Sequence, residues 1–361
     1  MTRLPSTSGI SEISGRAGGH LLVIRLSALG DVAMLVPVLL QLNTKYSKLR
    51  VTVLTRNFFA PLFKDVPNVE VYEADLKGIH SGVIGLGKLA KELRDLEIDA
   101  VADVHNVLRT NVLSSVFYFY GIPVKQIDKG RAEKKALTAE TKKVFKPVKS
   151  SHQRYADVFT ELGYPIDLHD PLFLPKQNFS SPTKEIIGTK SGKWLGIAPF
   201  AQHKSKVYPE DLMKKVIASL AQKKNLKIFL FGGGKTEIEK LEQISARFEY
   251  VQTLSGKISF QEELSVISNL DVMLSMDSGN AHLAAMFDVP VLTLWGVTHP
   301  FAGFGAFNQP MEHHLLPDLE KYPAIPTSIY GNKVPEGYEE VMRTIPPESV
   351  VSKVLEILGE S

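Results

Sequence analysis

Met276-Asp277-Ser278-Gly279-Asn280-Ala281-His282-Leu283-Ala284-Ala285 follows the short apolar run Val272-Met273-Leu274-Ser275 and opens a second one, with Leu283, Met286 and Phe287 at helical spacing. The first run reads as a buried strand and the second as a helix. An acid, a hydroxyl and a glycine therefore stand where strand becomes helix, at the carboxyl edge of a sheet. Unpaired backbone N–H groups and the positive end of the helix dipole point out of such a junction, and diphosphates bind there. Far upstream, Arg25-Leu26-Ser27-Ala28-Leu29-Gly30-Asp31 makes a similar junction between the apolar run Leu21 to Ile24 and a helical run from Val32. Two such junctions, one in each half, predict two nucleotide-type α/β domains facing each other across a cleft.

Working outward, apolar strand-like runs alternate with helical patterns, which argues for parallel sheets. In the first half the expected strands are Leu21–Arg25, Arg50–Thr55, Val69–Glu73, Ala100–Val104 and Val124–Ile127. Helices are expected over Asp31–Tyr46, Leu86–Leu96, Arg109–Tyr120 and Ser151–Leu162. The stretch Asp170 to Lys184 has little periodicity and reads as a linker. The pattern then restarts, with strands at Trp194–Pro199, Lys227–Phe231, Tyr250–Thr253, Asp271–Ser275 and Val291–Trp295. A long irregular region after Trp295 ends in an amphipathic helix, Glu348–Leu358.

Size and composition agree with this division. A chain of 361 residues is long for one domain, and 44% hydrophobic with 22% charged residues describes a globular protein with a sizeable core. The absence of cysteine excludes disulfides and thiolate chemistry, and suits a reducing cytoplasm. Residues 1–19 are rich in Ser, Gly and Thr and read as a disordered leader rather than an export signal. No apolar run is long enough to cross a bilayer. A net charge of +3 is too small to imply nucleic acid. From Lys129 to Arg154, however, nine Lys or Arg residues face only Glu133 and Glu140. That stretch is either a solvated loop or a basic arm for an anionic acceptor or membrane surface.

Several residues carry candidate chemistry. Asp31 opens a helix and could be no more than a cap, yet a carboxylate there also suits a general base. Only Gly30 lies in that loop, so the three-glycine dinucleotide fingerprint is absent, which counts against a nicotinamide enzyme. Phe231-Gly232-Gly233-Gly234-Lys235-Thr236 invites a P-loop reading, but Phe229 stands where that motif needs its first glycine. The loop is then a tight turn, or a turn lying close to a nucleotide, with Glu237 either serving the helix dipole or accepting from a ribose or base. Lys206, ahead of a helix starting at Pro209, is either solvated or a cation for phosphate. His282 reads as a packing or capping residue. Metal-ligand spacings such as Asp-x-Asp and His-Glu-x-x-His are missing, so no catalytic metal is expected.

Together these segments resemble glycosyltransferase family 9, the ADP-heptose:lipopolysaccharide heptosyltransferases. The resemblance lies in Val23-Ile24-Arg25-Leu26-Ser27-Ala28-Leu29-Gly30-Asp31-Val32 and in Lys206-Val207-Tyr208-Pro209-Glu210. It continues in Asp277-Ser278-Gly279-Asn280-Ala281-His282-Leu283-Ala284-Ala285 and in Trp295-Gly296-Val297-Thr298-His299-Pro300. It implies the GT-B architecture, with an N-terminal acceptor-binding Rossmann-like domain over 20–175 and a C-terminal nucleotide-sugar-binding one over 176–346. The last helix, 347–361, would cross back to the N-terminal domain.

The implied reaction is an inverting, metal-independent transfer of heptose or a related sugar from an ADP-linked donor to a lipopolysaccharide core or similar glycan. No cofactor is needed. By resemblance Asp31 is the general base, and Arg25, Ser27, Gly30, Lys134 and Lys135 meet an anionic glycolipid acceptor. Lys206, Glu237, Asp277, Ser278, Gly279 and His282 meet the donor, and a cation with helix N-termini replaces a metal at the departing diphosphate. The expected place is the cytoplasm, with a peripheral contact at the inner membrane. Ala201-Gln202 and Asn280 depart from the family pattern close to the donor, which leaves the donor sugar open. A nucleotide-sugar epimerase or hydrolase on the same fold, and a non-catalytic binding protein, remain the alternatives.

Overall fold

The computed structural model describes residues 18–360. All but the last two residues of the expected leader lie outside that range. Contacts divide the chain into two units, the first made of 1–129 and 151–174, the second of 130–150 and 175–361.

The first unit begins with β1 (His20–Ile24), α1 (Leu29–Ala33) and α2 (Leu35–Lys45), then β2 (Arg50–Thr55) and β3 (Val69–Glu73). It continues through α3 (Gly82–Arg94), β4 (Ala100–Asp103), α4 (Leu108–Phe119) and β5 (Val124–Gln126). The chain then leaves for α5 (Arg131–Leu137), which belongs to the second unit, and returns with α6 (Ser151–Glu161). The five strands are all parallel, in the order β3-β2-β1-β4-β5. Val23 of the central strand sits in register with Val53 on one side and Ala102 on the other. A strand covered on both faces cannot alternate polar and apolar residues, hence the unbroken run Leu21 to Ile24. The reversal of strand order beside β1 opens a crevice at the carboxyl edge, where ligands of such sheets bind.

One helix expected over Asp31–Tyr46 is two. Pro37 lacks the N–H that would bond to the carbonyl of Ala33, and its ring crowds that carbonyl, so α1 ends at Ala33 and α2 restarts at Leu35. Within α2 the proline lies in the first turn, where a missing donor costs little.

The second unit contains α7 (Ser181–Ile187), β6 (Lys193–Ala198), α8 (Glu210–Leu220), β7 (Leu226–Leu230), α9 (Lys235–Ser245) and β8 (Val251–Thr253). There follow α10 (Phe260–Ile267), β9 (Val272–Met276), α11 (Gly279–Ala285), β10 (Val291–Leu294), β11 (His314–Leu315) and α12 (Pro347–Leu358). Its six parallel strands run β11-β10-β9-β6-β7-β8. The end of the expected linker is helical, because Ser180 caps α7 by accepting from the N–H of Thr183.

Two segments fall differently from the expected boundaries. Residues 130–150 cluster with the second unit, where the N–H of Val148 bonds the carbonyl of Phe301 at 2.9 Å. The last helix buries Val350, Val354 and Leu358 in the core of the second unit, against Val216 and Leu220 of α8 among others. Full burial of such side chains stabilises by about 1.5–3 kcal/mol each. The Tyr208 hydroxyl, donating to the carbonyl of Ile345 at 2.6 Å, holds the approach to that helix.

Candidate active site

In the first unit, the chain leaving β1 keeps Arg25 buried before turning into α1. Asp31 lies in the first turn of that helix. Its Oδ2 accepts from Arg25 Nη2 at 2.6 Å and from the N–H of Ala28 at 3.1 Å. It thus does the cap's work by reaching back along the chain, while 29% of its side chain stays open to solvent. The guanidinium is fixed by further contacts: Nη1 donates to the carbonyl of Val104 at 2.7 Å, and the plane stands 5.7 Å from the Tyr155 ring. Burial works against its charge, but the carboxylates of Asp31, bonded to it, and of Asp103 favour the charged form, and its pKa is raised. Tyr155, wholly buried, donates to the carbonyl of Asp31 at 3.2 Å, and burial keeps its phenol protonated. His105 accepts from the N–H of Leu26 at 3.4 Å, and burial, then the positive field of Arg25, brings its pKa down to about 4. The imidazole is therefore neutral at physiological pH. Ser27 and Gly30 are half-buried in the same turn.

In the second unit the candidate residues gather at the end of β9. Asp277 is nearly covered, and its Oδ2 accepts from Lys206 Nζ at 2.9 Å and from the Thr298 hydroxyl at 2.9 Å. Lys206 comes from the turn Lys204–Lys206 after β6, so the carboxyl ends of β6, β9 and β10 supply one cluster. Close approach of backbones makes this possible. A Cβ on Gly296 would lie 1.9 Å from the carbonyl oxygen of Ser205, and one on Gly331 would lie 2.5 Å from Lys206 Cδ. Gly331 also has φ +83°. The Ser205 hydroxyl donates to the carbonyl of Gly331 at 2.5 Å and ties that wall to the lysine turn.

Ser278 leads into α11 with its hydroxyl 3.2 Å from that of Ser275, and its Oγ does not cap the helix. Ser278 and Gly279 are half-buried, whereas His282 is buried inside α11. Glu237, in the first turn of α9, turns back and accepts from the N–H of Gly233 at 2.8 Å. Gly233 and Gly234 are exposed there.

The expected site residues therefore separate into two groups. Arg25, Ser27, Gly30 and Asp31 share one junction. Lys206, Asp277, Ser278 and Gly279 share the other, with Glu237 on a neighbouring loop of the same sheet edge. Lys134 and Lys135, expected beside the first group, belong to the second unit. Lys134 is buried, with its Nζ 4.3 Å from the Phe304 ring centroid, and Lys135 is exposed.

Sequence reasoning missed Tyr155, His105 and Arg56, whose Nε donates to the carbonyl of Leu26 at 2.8 Å. It quoted Thr298 without a role. His299 and His314 also went unassigned. Burial brings each to about 4, and His314 accepts from Trp295 Nε1 at 3.0 Å. The Gly296-Val297-Thr298-His299-Pro300 turn was the available signal.

Two parallel-sheet Rossmann-like units are the architecture of the GT-B glycosyltransferases. The chain belongs to glycosyltransferase family 9 (heptosyltransferase), whose model matches residues 86–326. Over 288 residues it is 26% identical to the lipopolysaccharide core heptosyltransferase OpsX of Haemophilus influenzae, covering 78% of this chain and 80% of that one. It is 25% identical to the lipooligosaccharide heptosyltransferase 2 of Haemophilus ducreyi, covering 94% of this chain and 99% of the relative. The fold matches a family 9 glycosyltransferase from Veillonella parvula with TM-score 0.73 at 18% identity, covering 95% and 98% of the two chains. It also matches the ADP-heptose lps heptosyltransferase II of Escherichia coli with TM-score 0.65 at 20% identity, covering 94% and 98%.

Proposed function

We propose that this glycosyltransferase moves heptose from an ADP-linked donor to a hydroxyl of a lipopolysaccharide core, with inversion and without a metal. The observation that carries the reading is the carboxylate of Asp31. It is oriented by Arg25 and the N–H of Ala28, yet remains partly open. Such a group can take the proton of an acceptor hydroxyl as the oxygen attacks the anomeric carbon. The C1–O bond to the diphosphate breaks on the opposite face, and the nucleotide leaves with the bonding pair.

Charge then builds on the departing phosphate. Lys206 has three N–H donors, so it can keep Asp277 and still serve a phosphate oxygen. Ser278 and Gly279 offer backbone N–H groups beside it, and preorganised donors of this kind act with little reorganisation. His282 supports α11 from within. Glu237 would exchange its bond to Gly233 for one to the nucleotide. On the acceptor side, Ser27 and Gly30 line the approach to Asp31, and the exposed Lys135 contributes positive charge for an anionic core. The printed functions of the relatives support the sugar and the acceptor class.

The test is incubation with ADP-heptose and a heptose-deficient core acceptor, with product mass and anomeric configuration read by mass spectrometry and NMR. Transfer with inversion that persists in EDTA is expected. Consumption of the donor at the same rate without acceptor would instead identify a hydrolase or epimerase.

A further inference from the structure

The cluster of Lys206, Asp277 and Thr298 has two flanks, and they differ. In the strand order β11-β10-β9-β6-β7-β8, Lys206 follows β6 and Asp277 follows β9, at the middle of the sheet. Glu237 and the glycine turn follow β7, towards one edge. The chain after β10 stands towards the other edge, and two aromatic rings line it without a part in the transfer. Phe304 lies downstream of Thr298. Tyr330 immediately precedes Gly331, the residue packed against the Lys206 stem.

The backbone under both rings is braced. The N–H of Thr327 donates to the carbonyl of Val297 at 3.0 Å, and the N–H of Gly331 to the Ser328 hydroxyl at 2.9 Å. A Cβ on Gly303, at φ +80°, would lie 2.7 Å from the carbonyl oxygen of Lys149, so the chain entering Phe304 is held close. The ring centroids of Phe304 and Tyr330 are 5.7 Å apart, with their planes at 44°. Half-buried Phe304 is thus engaged by a second ring and by Lys134, whereas Tyr330 stays 54% exposed.

An open aromatic face beside a diphosphate cation suits a sugar. One face of a pyranose presents C–H groups that pack on a ring, while its hydroxyls point outward to polar partners. Tyrosine supplies that area with few rotatable bonds to freeze. A nucleobase would stack equally well, but the proposed place for the nucleoside is at Glu237, on the opposite side of Lys206. The sugar hangs from the outer phosphate and so lies away from the nucleoside. Resting on the reading of Lys206 as the holder of the diphosphate, we infer that Tyr330, backed by Phe304, is the platform for the transferred sugar. It discriminates for the sugar and not for the nucleotide.

Calorimetry with ADP and with ADP-heptose, without acceptor, separates this inference from the reading beneath it. ADP binding by the parent, weakened in Lys206→Ala, tests the diphosphate site alone. Tyr330→Ala should weaken ADP-heptose by roughly three- to tenfold and leave ADP unchanged, with the melting temperature retained. Tyr330→Phe keeps the aromatic face and should bind both ligands as the parent does. Tyr330→Leu keeps apolar bulk without a ring, and is expected to show the same selective loss even if the alanine variant melts early. Tyr250→Ala, 47% exposed in the parent and just ahead of β8 at the amino edge of the same sheet, should alter neither affinity. Equal losses for ADP and ADP-heptose in the alanine and leucine variants, unaltered ADP-heptose affinity in both, or an equal loss in Tyr330→Phe would each overturn the platform and leave the diphosphate site standing. A parent that binds neither ligand would overturn both.

Discussion

Asp31 and Asp277 each stand at a strand-to-helix junction of their own unit, after β1 and after β9, and each is paired with one cation, but they are held differently. Asp31 bonds to an arginine whose other contacts fix it within the fold, and its own side chain is 29% exposed. Asp277 is 7% exposed and shares one oxygen between Lys206 and Thr298. In the first pair the cation is fixed and the carboxylate is reachable. In the second the carboxylate is buried and the cation, 14% exposed, is the member with donors to spare. The same local grammar therefore yields a candidate base in one unit and a candidate diphosphate holder in the other.

The largest effect should come from breaking the reachable carboxylate. Asp31→Asn is expected to lower kcat by about 10²–10⁴-fold, with donor affinity in calorimetry unchanged because the donor contacts proposed above lie in the second unit. Wild-type turnover in that variant would remove the distinction drawn here. Next in size, Lys206→Ala should weaken binding of nucleoside diphosphate by roughly 10–100-fold, as expected for a hydrogen bond to a charged group.

An effect of intermediate size concerns acid. His105, His299 and His314 each lie at about 4 in the folded protein, against 6.5 as the ordinary value. As pH falls below the ordinary value, the unfolded chain takes protons that the folded one refuses. Stability is therefore full above that value, declines as pH drops through the window between the two, and levels off below it. The slope is about 1.4 kcal/mol per pH unit for each histidine. Urea titrations at several pH values should show it, and His105→Asn should make the decline shallower. The same substitution should leave the shape of the pH–rate profile above neutrality unaltered, since His105 is uncharged there. Smallest of all, Thr298→Val should cost about 1.5 kcal/mol of stability through one lost hydrogen bond to a buried carboxylate.

Much of this was legible before any coordinates. Strands such as Arg50–Thr55 and Val69–Glu73 have the expected ends: both are rich in β-branched residues, the first buried from Val51 on and the second alternating apolar and polar residues at the edge of the sheet. Asp31 and Asp277 were visible as candidates because each stands between an apolar run and a helical pattern. What escaped depends on distance along the chain. Tyr155 and His105 reach Arg25 and its turn from other elements, and no periodicity links them. The break at Met34 needed Pro37 to be weighed against the carbonyl four residues earlier. The basic segment gave its charge but not its address, since Lys134 is spoken for by Phe304, more than a hundred residues away.

That address has a consequence for how the chain can be assembled. Because 130–150 is lent by one unit to the other, the polypeptide passes between them at 129/130, 150/151 and 174/175. A gene cut at Pro175 would give a C-terminal piece stripped of part of its own surface, with the carbonyl of Phe301 deprived of its mate at Val148. On the ribosome this loop would emerge well before its berth existed, leaving the first unit to fold around a tether still waiting for the remainder of the message.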